Sequence, residues 1–268
     1  MGVVNVTPDS FHAASRAPER DAALAAAMRD LADGADLLDL GGESTRPGAA
    51  PVAAALEIER VVPVIAGLRA RGCACPISID TYKAAVARAA VAAGASMVND
   101  VSGGLLDPAM TTTVAELGVP VIVGHLRGTP QSMAAHARYA DVVAEVRDEL
   151  GARCAAFVAA GVAGGRILID PGIGFAKGAH DNLTLLRRLD ELLGLGHPLV
   201  VGLSRKRFIG EAMRAAGLDS GEASEGRLAG SLAAAVLAVA KGARLVRTHD
   251  VAATRRALAI ADAILHEA

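Results

Sequence analysis

Aromatic side chains are the scarcest component of this 268-residue chain. Phe, Tyr and Trp make up 2% of the residues and Trp is absent, whereas 52% of the residues are hydrophobic. A core of this composition has to be built from Ala, Val, Leu and Ile. Such cores are typical of parallel β-sheets that are covered by helices on both faces. The composition therefore favours an α/β protein.

Cysteine and net charge are also low. The three cysteines (Cys73, Cys75 and Cys154) form neither a CxxC pair nor a zinc-ligand spacing, and their odd number argues against a disulfide framework. The formal net charge is -2, from 27 basic and 29 acidic residues. The sequence thus shows no basic field for nucleic acid or an anionic membrane.

Long apolar runs are missing as well. Gly, Lys or Arg interrupts every run before the roughly 20 residues that a membrane-spanning helix needs. No charged segment with a following apolar stretch precedes the first polar motif, as it would in a secretory signal. We therefore expect a cytoplasmic protein, without a nucleic-acid or membrane partner.

One pattern is repeated from end to end of the chain. A short apolar run, often β-branched, ends in polar residues or Gly, and an Ala- and Leu-rich helical stretch follows. Continuous apolar strands that alternate with helices are typical of a parallel sheet. The predicted strands are 2–6, 36–40, 76–79, 97–101, 120–123, 167–169, 199–203 and 244–246.

Apolar residues at helical spacing lie between the strands. The clearest predicted helices are 20–31, 53–68, 82–93, 141–160 and 225–240. Their expected closing residues are Gly34, Gly72, Gly94, Gly161 and Gly242. Eight strand–helix units in about 250 residues favour a (β/α)8 TIM barrel over an open doubly wound sheet, in which six strands are more usual. We predict an α/β protein with a single barrel domain over residues 1–268.

Polar residues follow every predicted strand. In a parallel barrel, the side chains beyond the carboxyl ends of the strands converge on one face, where active sites lie. These residues are Asn5, 41–47, Asp80, Asn99, Asp100, His125, Asp170, 204–206, Arg247 and His249. Any one of them could cap a helix instead, but capping accounts poorly for the whole set. The pattern predicts a functional site at this face, with the role of His125 open between packing and function.

Eight segments of the chain resemble the dihydropteroate synthase family of the folate pathway. They read GVVNVTPDSF, DLGGESTRPGA, SIDT, VNDVSGG, HLRGTP, DPGIGF, SRKRFIG and RTHDV, in family order and about one per strand. The resemblance covers nearly the whole chain and implies a (β/α)8 barrel. It also implies the family reaction, in which 4-aminobenzoate is joined to a dihydropterin that carries a methyl diphosphate, and diphosphate is released.

The resemblance implies the residues that bind the pterin and act in catalysis. Asp80, Asn99, Asp170 and Lys206 would bind the pterin, since carboxylates accept hydrogen bonds from its N–H and NH2 groups while amides and ammonium groups donate. Asp80, Asp170 and Lys206 are the implied catalytic residues. The two carboxylates would stabilise positive charge if the C–O bond breaks before the amine attacks.

The same resemblance implies the residues around the diphosphate and the aminobenzoate. Arg247 and His249 match the family's anion-binding pair, and Thr45 matches a residue that touches the same ligand. The Asn5 carboxamide oxygen would bind Mg2+, a hard cation that bridges phosphates. The implied aminobenzoate wall consists of Arg46, Pro47, Phe175 and Ser204. Because the family tends to dimerise through its last helices, and 231–240 is apolar, we expect a homodimer.

Departures from the family pattern leave two alternatives open. The first family loop commonly continues Ser-Asp-Gly-Gly, whereas residues 12–15 read His-Ala-Ala-Ser, so Ala13 replaces an acid. A divergent protein that binds a pterin or phosphate without turnover is therefore one alternative. A related pterin-barrel methyltransferase, which hands a folate methyl group to a corrinoid, is the other, because that barrel has similar D-x-N-D strand ends. The intact SRK and RTHD segments argue against the methyltransferase.

Two local motifs have further consequences. The family has Met where this chain has Gly124, which is expected to remove a side chain from the wall of the pterin pocket. The segment GIGFAKG has Lys177 in place of the third Gly of a dinucleotide fingerprint, so we reject a dinucleotide site there.

Overall fold

The computed structural model describes residues 1–6, 16–218 and 224–266, whose strands form one parallel sheet. The strands are β1 (Gly2–Asn5), β2 (Leu38–Gly41), β3 (Ile77–Asp80), β4 (Met97–Asp100), β5 (Val121–Gly124), β6 (Ile167–Asp170), β7 (Leu199–Gly202) and β8 (Ala243–Arg247). They lie side by side in chain order, and Gly2 of β1 bridges to Thr248 beyond β8. The sheet therefore closes into the predicted (β/α)8 barrel, with each strand within two residues of its predicted bounds.

Helices surround the barrel. Within the described ranges they are α1 (Arg16–Ala32), α2 (Ala54–Ala70), α3 (Ala84–Ala92), α4 (Met110–Leu117), α5 (Val142–Ala159), α6 (Ala179–Arg187), α7 (Arg207–Ala215), α8 (Leu228–Ala240) and α9 (Val251–His266). All five predicted helices are present. The last of them begins at Leu228 rather than 225, because Ser224–Arg227 forms a 3-10 turn. None of the helices in these ranges has both the length and the hydropathy to span a membrane.

The five glycines that were expected to close helices all follow a helix. Their φ angles are positive and range from 76° at Gly72 to 115° at Gly94. Only glycine adopts this conformation at little cost, so it ends a helix with a sharp change of direction. These residues therefore confirm the predicted ends of the helices.

Inward-facing side chains fill the barrel. Two sets of them are named here, and Asp39 of β2 lies between the two sets. Leu38 and Leu40 of β2 pack outwards in the core between sheet and helices, so that Asp39 and Gly41 face inwards. The lower set, here called the apolar layer, consists of Met1, Leu37, Met97, Ile122, Leu168, Val200 and Leu245. The set at the carboxyl ends of the strands, here called the polar layer, consists of Asn5, Gly41, Asp80, Asn99, Gly124, Asp170, Gly202 and Arg247.

Candidate active site

Arg247 links two parts of the predicted site in the polar layer. Its Nη2 donates to Asp80 Oδ2 at 2.7 Å, and its Nε donates to Asp39 Oδ2 at 2.6 Å. Strand pairing sets Asp80 beside Asn99 on one side and Gly41 on the other. The predicted anion-binding residue therefore contacts a carboxylate that was predicted to bind the pterin.

Asp39 is a member of this cluster that the sequence analysis missed. Its side chain is fully buried, and its Oδ2 accepts from Asn99 Nδ2 at 3.1 Å in addition to Arg247. The signal that could have found it is an acid inside an otherwise apolar strand, LLDLGG. A buried carboxylate is tolerated only with such charge-assisted partners.

Burial changes the acidity of the two predicted catalytic carboxylates. It raises the pKa of Asp80 to about 7, although the Arg247 guanidinium acts in the opposite direction. Burial also raises the pKa of Asp170, and the Lys206 ammonium opposes that shift. Asp170 Oδ1 accepts from the Gly172 N–H at 2.7 Å, which fixes the carboxylate at the end of β6. Perturbed acids in a cleft are typical of a functional site.

Lys206 reaches from the end of β7 to the loop after β6. Its Nζ donates to the Ile173 carbonyl and lies 4.5 Å from the centroid of the Phe175 ring. Burial lowers the pKa of Lys206 to about 8, against the influence of Asp170. Gly174 allows this approach, since a Cβ there would lie 2.8 Å from Lys206 Cδ. The structure thus joins the predicted ammonium group to the predicted aromatic wall.

The loops after β7 and β8 are joined by polar contacts. Ser204 Oγ lies 3.2 Å from His249 Nδ1 and accepts from the His249 backbone N–H at 3.3 Å. Arg205, with a φ of 58°, pairs with Asp250 through Nε at 2.9 Å. Although the His249 side chain is exposed at its edge, partial burial and the Arg247 guanidinium lower its pKa to about 4. At neutral pH the imidazole is therefore uncharged and offers an N–H donor.

The loop after β2 carries Thr45, Arg46 and Pro47 at the rim of the site. Thr45 is half-buried, and the other two residues are exposed. The loop is anchored by Glu43, whose Oε1 accepts from Tyr82 Oη at 2.8 Å and whose second oxygen pairs with Lys83. A buried acid thus holds the base of the loop while the rim remains accessible.

Two polar residues of the predicted face have internal partners instead of facing the site. His125 is fully buried: its Nε2 lies 3.0 Å from Glu149 Oε2, and Lys177 Nζ lies 2.8 Å from its Nδ1. Burial and the Lys177 ammonium lower the pKa of His125 to about 3, so the ring is neutral. Asp100 accepts from the Ser102 N–H at 2.8 Å and shapes the loop after β4. For His125 the structure favours a packing role.

Asn5 is the expected magnesium ligand. It ends β1, is exposed, and pairs in register with Gly41 of the polar layer. The described ranges contain no group of three or more His, Cys, Asp or Glu side chains that could hold a metal ion. One amide oxygen fits a cation that keeps most of its waters and takes further ligands from a phosphate. The altered segment at 12–15 lies outside the described residues.

Known proteins resemble this chain over most of its length. Residues 1–249 match the family described as pterin binding enzyme. The chain is 44% identical over 264 residues to the dihydropteroate synthase of Synechocystis, covering 98% of this chain and 89% of that protein.

Solved structures give the same result. The dihydropteroate synthase of Xanthomonas albilineans with 4-aminobenzoic acid has a TM-score of 0.89 and 48% identity, covering 99% of this chain and 92% of that one. The same enzyme with 7,8-dihydropteroate gives a TM-score of 0.86 and 46% identity, with the same coverage. A Yersinia pestis dihydropteroate synthase with a sulfonamide drug gives a TM-score of 0.89 and 39% identity, covering 98% of this chain and 93% of that one.

The sequence match, the barrel and the polar layer all lead to one assignment. The family match covers most of the chain, and the structural likeness covers nearly all of it at identities well above the range in which only a fold is shared. The chain belongs to the dihydropteroate synthase family, the pterin binding transferases of folate biosynthesis.

Proposed function

We propose that the protein joins (7,8-dihydropterin-6-yl)methyl diphosphate to 4-aminobenzoate, giving 7,8-dihydropteroate and diphosphate. The observation that carries this proposal is the 2.7 Å contact between Arg247 Nη2 and Asp80 Oδ2. In the substrate, one methylene group separates the pterin ring from the diphosphate. An anion-binding guanidinium directly beside a pterin-binding carboxylate matches that short separation.

In this proposal Asp80, Asp170 and Asn99 bind the pterin edge together with Lys206. The carboxylates accept from ring N–H and NH2 groups, and the ammonium group donates to a ring acceptor. Asp80 and Asp170 lie in the polar layer, where burial raises the pKa of both groups. Charge-assisted hydrogen bonds to the pterin would replace the water that these carboxylates have lost.

The bond between the methylene carbon and the diphosphate oxygen would break first, and the oxygen would keep the electron pair. Positive charge then spreads over the methylene group and the pterin ring, where the Asp80 and Asp170 carboxylates stabilise it. The amine nitrogen of aminobenzoate forms the new C–N bond and afterwards loses one proton. An aryl amine is neutral at pH 7, so this route needs no strong base.

Arg247, His249 and Thr45 would bind the diphosphate. The guanidinium supplies charge, and the neutral His249 ring supplies an N–H donor, because its pKa is lowered to about 4. Asn5 would hold Mg2+ through its amide oxygen, with the diphosphate and waters as the other ligands. When bound, the ion would neutralise charge on the leaving diphosphate.

The aminobenzoate would lie against the rim of the site. In this proposal its wall consists of Arg46, Pro47, Phe175 and Ser204, and Arg46 pairs with the carboxylate of the substrate. The 4.5 Å distance between Lys206 Nζ and the centroid of the Phe175 ring supports this placement, because Lys206 is one of the proposed pterin-binding residues. We expect sulfonamides to bind at the same wall, because they resemble 4-aminobenzoate in shape and charge.

The direct test is diphosphate release by the purified protein with the pterin diphosphate, 4-aminobenzoate and Mg2+. Stoichiometric diphosphate and dihydropteroate would support the proposal, and a sulfonamide should compete with 4-aminobenzoate. Pterin binding by calorimetry without any turnover would instead identify a binding protein. Methyl transfer from a folate to a corrinoid would identify the methyltransferase.

We also propose a homodimer through α8 and α9. These two helices pack against each other and leave large apolar side chains exposed: Leu237 and Ile260 each at 64%, and Ile264 at 72%. An exposed apolar patch of this kind is typical of a protein interface. Sedimentation should give a dimer that the variant Leu237→Asp weakens, whereas a monomeric wild type would contradict the proposal.

Two further features are proposed on indirect grounds. The three cysteines are free thiols, which supports a reducing compartment and hence a cytoplasmic location. Packing of α9 on α8 supports a domain that takes in the whole chain, residues 1–268. Cell fractionation and a truncation before α9 test these two features separately.

A further inference from the structure

Asp39 contacts a residue of each substrate subsite. On β2 it lies two residues before Gly41 of the polar layer, and it pairs in register with Ser78 of β3 rather than with Asp80. Its Oδ2 accepts from Asn99 Nδ2 at 3.1 Å and from Arg247 Nε at 2.6 Å. One carboxylate oxygen therefore accepts hydrogen bonds from Asn99 of β4 and from Arg247 of β8.

The contact to Asn99 fixes which way the amide points. A carboxylate oxygen accepts only from the NH2 end of the amide, so Asn99 Oδ1 and the second N–H of Nδ2 are left for another ligand. A pterin edge presents both donors and acceptors. An amide turned by 180° would set its oxygen against the Asp39 carboxylate and would offer a ligand only N–H donors. Asp39 thus determines what Asn99 presents.

The contact to Arg247 fixes the guanidinium in the same way. Nε is bonded to Asp39 and Nη2 to Asp80, so the plane of the guanidinium is defined by two carboxylates from neighbouring strands. A diphosphate could displace the Asp80 contact while the Asp39 contact keeps the group in place. Because Asp39 is fully buried, no solvent competes for its oxygen.

We propose that Asp39 is a positioning residue that sets both the Asn99 amide and the Arg247 guanidinium, so that pterin and diphosphate recognition depend on the same buried carboxylate. The inference rests on the proposed function, because it takes the roles of Asn99 and Arg247 from there. It assigns Asp39 no contact with the substrate itself. Preorganisation of this kind lowers the cost of binding.

The test compares Asp39→Ala with Asp39→Asn. The amide oxygen in Asp39→Asn can still accept from both neighbours, so this variant keeps the geometry and removes only the charge. We expect Asp39→Ala to weaken binding of both 6-hydroxymethyl-7,8-dihydropterin and inorganic diphosphate at least tenfold in calorimetry. Asp39→Asn should stay within about threefold of wild type for the pterin and should bind diphosphate equally well or more tightly. The KM for 4-aminobenzoate should change less than twofold in either variant.

Controls separate positioning from folding. Glu57→Gln alters another fully buried carboxylate, which pairs with Lys83 outside the polar layer, and should lower stability without this substrate-specific pattern. If Asp39→Ala does not fold, Asp39→Leu fills the volume with an apolar side chain and should show the same two losses.

The affinities of the variants and of the wild type test two different proposals. Unchanged affinities in Asp39→Ala, or equal losses in the Ala and Asn variants, would overturn the positioning role. A wild type that binds neither ligand would contradict the proposed function instead.

Discussion

On β5 and β6 the apolar layer and the polar layer lie only two residues apart. Ile122 and Leu168 belong to the apolar layer, whereas Gly124 and Asp170 on the same strands belong to the polar layer. The apolar layer gains free energy by burial. The polar layer costs free energy, because burial disfavours its charged groups: it raises the pKa of Asp80 and Asp170 and lowers that of Lys206. The comparison indicates that one inward-facing row stabilises the barrel, whereas the next row, where we propose the active site, lowers its stability.

The largest expected effect is on the apolar layer. Ile122 is fully buried, so Ile122→Ala should lower the free energy of unfolding by about 3 kcal/mol through lost burial and a cavity. The rate kcat/KM below the melting temperature should hardly change. Chemical denaturation and steady-state kinetics measure the two quantities, with Ile122→Val (about 1 kcal/mol) as the matched control. A greater loss of activity than of stability would show that the layers are not separable.

The second effect is on the polar layer. Lys206→Ala and Asp170→Asn should each cut turnover at least about tenfold, or roughly 1.4 kcal/mol of transition-state stabilisation. The free energy of unfolding should stay equal or rise, because each change removes a buried charge that burial disfavours. The control is Arg207→Ala, since this neighbouring side chain is 80% exposed. Near wild-type turnover in both site variants would remove these residues from the mechanism.

The third effect concerns strain beside the site. Ala176, next to Phe175, has a φ of 49°, a left-handed conformation that glycine adopts more readily. Ala176→Gly should therefore raise the free energy of unfolding by about 1 kcal/mol. Ala25→Gly, at an exposed position inside α1, is the control and should lower the free energy of unfolding by about as much. A loss of stability in Ala176→Gly would mean that the methyl group contributes more by packing than it costs in strain.

The smallest effect is on the pH profile. The proposed mechanism needs Asp80 as a carboxylate and Lys206 as an ammonium group, with pKa values of about 7 and about 8. The rate kcat/KM should rise as pH increases through about 7 and fall as it increases through about 8. In Lys206→Arg the alkaline limb should disappear while the acid limb remains. If the alkaline limb is unchanged in Lys206→Arg, a group other than Lys206 causes the fall of kcat/KM at high pH.

Most of the fold was predictable, because buried strands and amphipathic helices leave periodic patterns. The four helices that the pattern did not single out include α4, α6 and α7, each only eight or nine residues long. α3 is equally short, but it consists almost entirely of Ala and Val, whereas α4 and α6 contain runs of polar residues that weaken the helical period. Their place in the fold comes from packing on the barrel.

The candidate site was predictable where residues follow a strand, and less so where they lie within one. Asp80, Asp170 and Arg247 end their strands and were found, whereas Asp39 lies inside β2 and was missed. Its role depends on partners that are 60 and 208 positions away along the chain. Sequence spacing carries no signal for contacts of that kind.

The glycines of the polar layer decide how much room a ligand has. A methyl group at Gly41 or Gly202 would meet its nearest side-chain atoms at 3.5 Å and 3.9 Å, which the fold tolerates, but it would occupy space above the barrel. A methyl group at Gly124 would lie 2.6 Å from the backbone of Val101, so a larger residue there, such as the Met of the family pattern, requires the backbone after β4 to lie further away. Substitutions at positions 41 and 202 would therefore narrow the site for smaller ligands directly, whereas a side chain at position 124 would also have to move the backbone after β4.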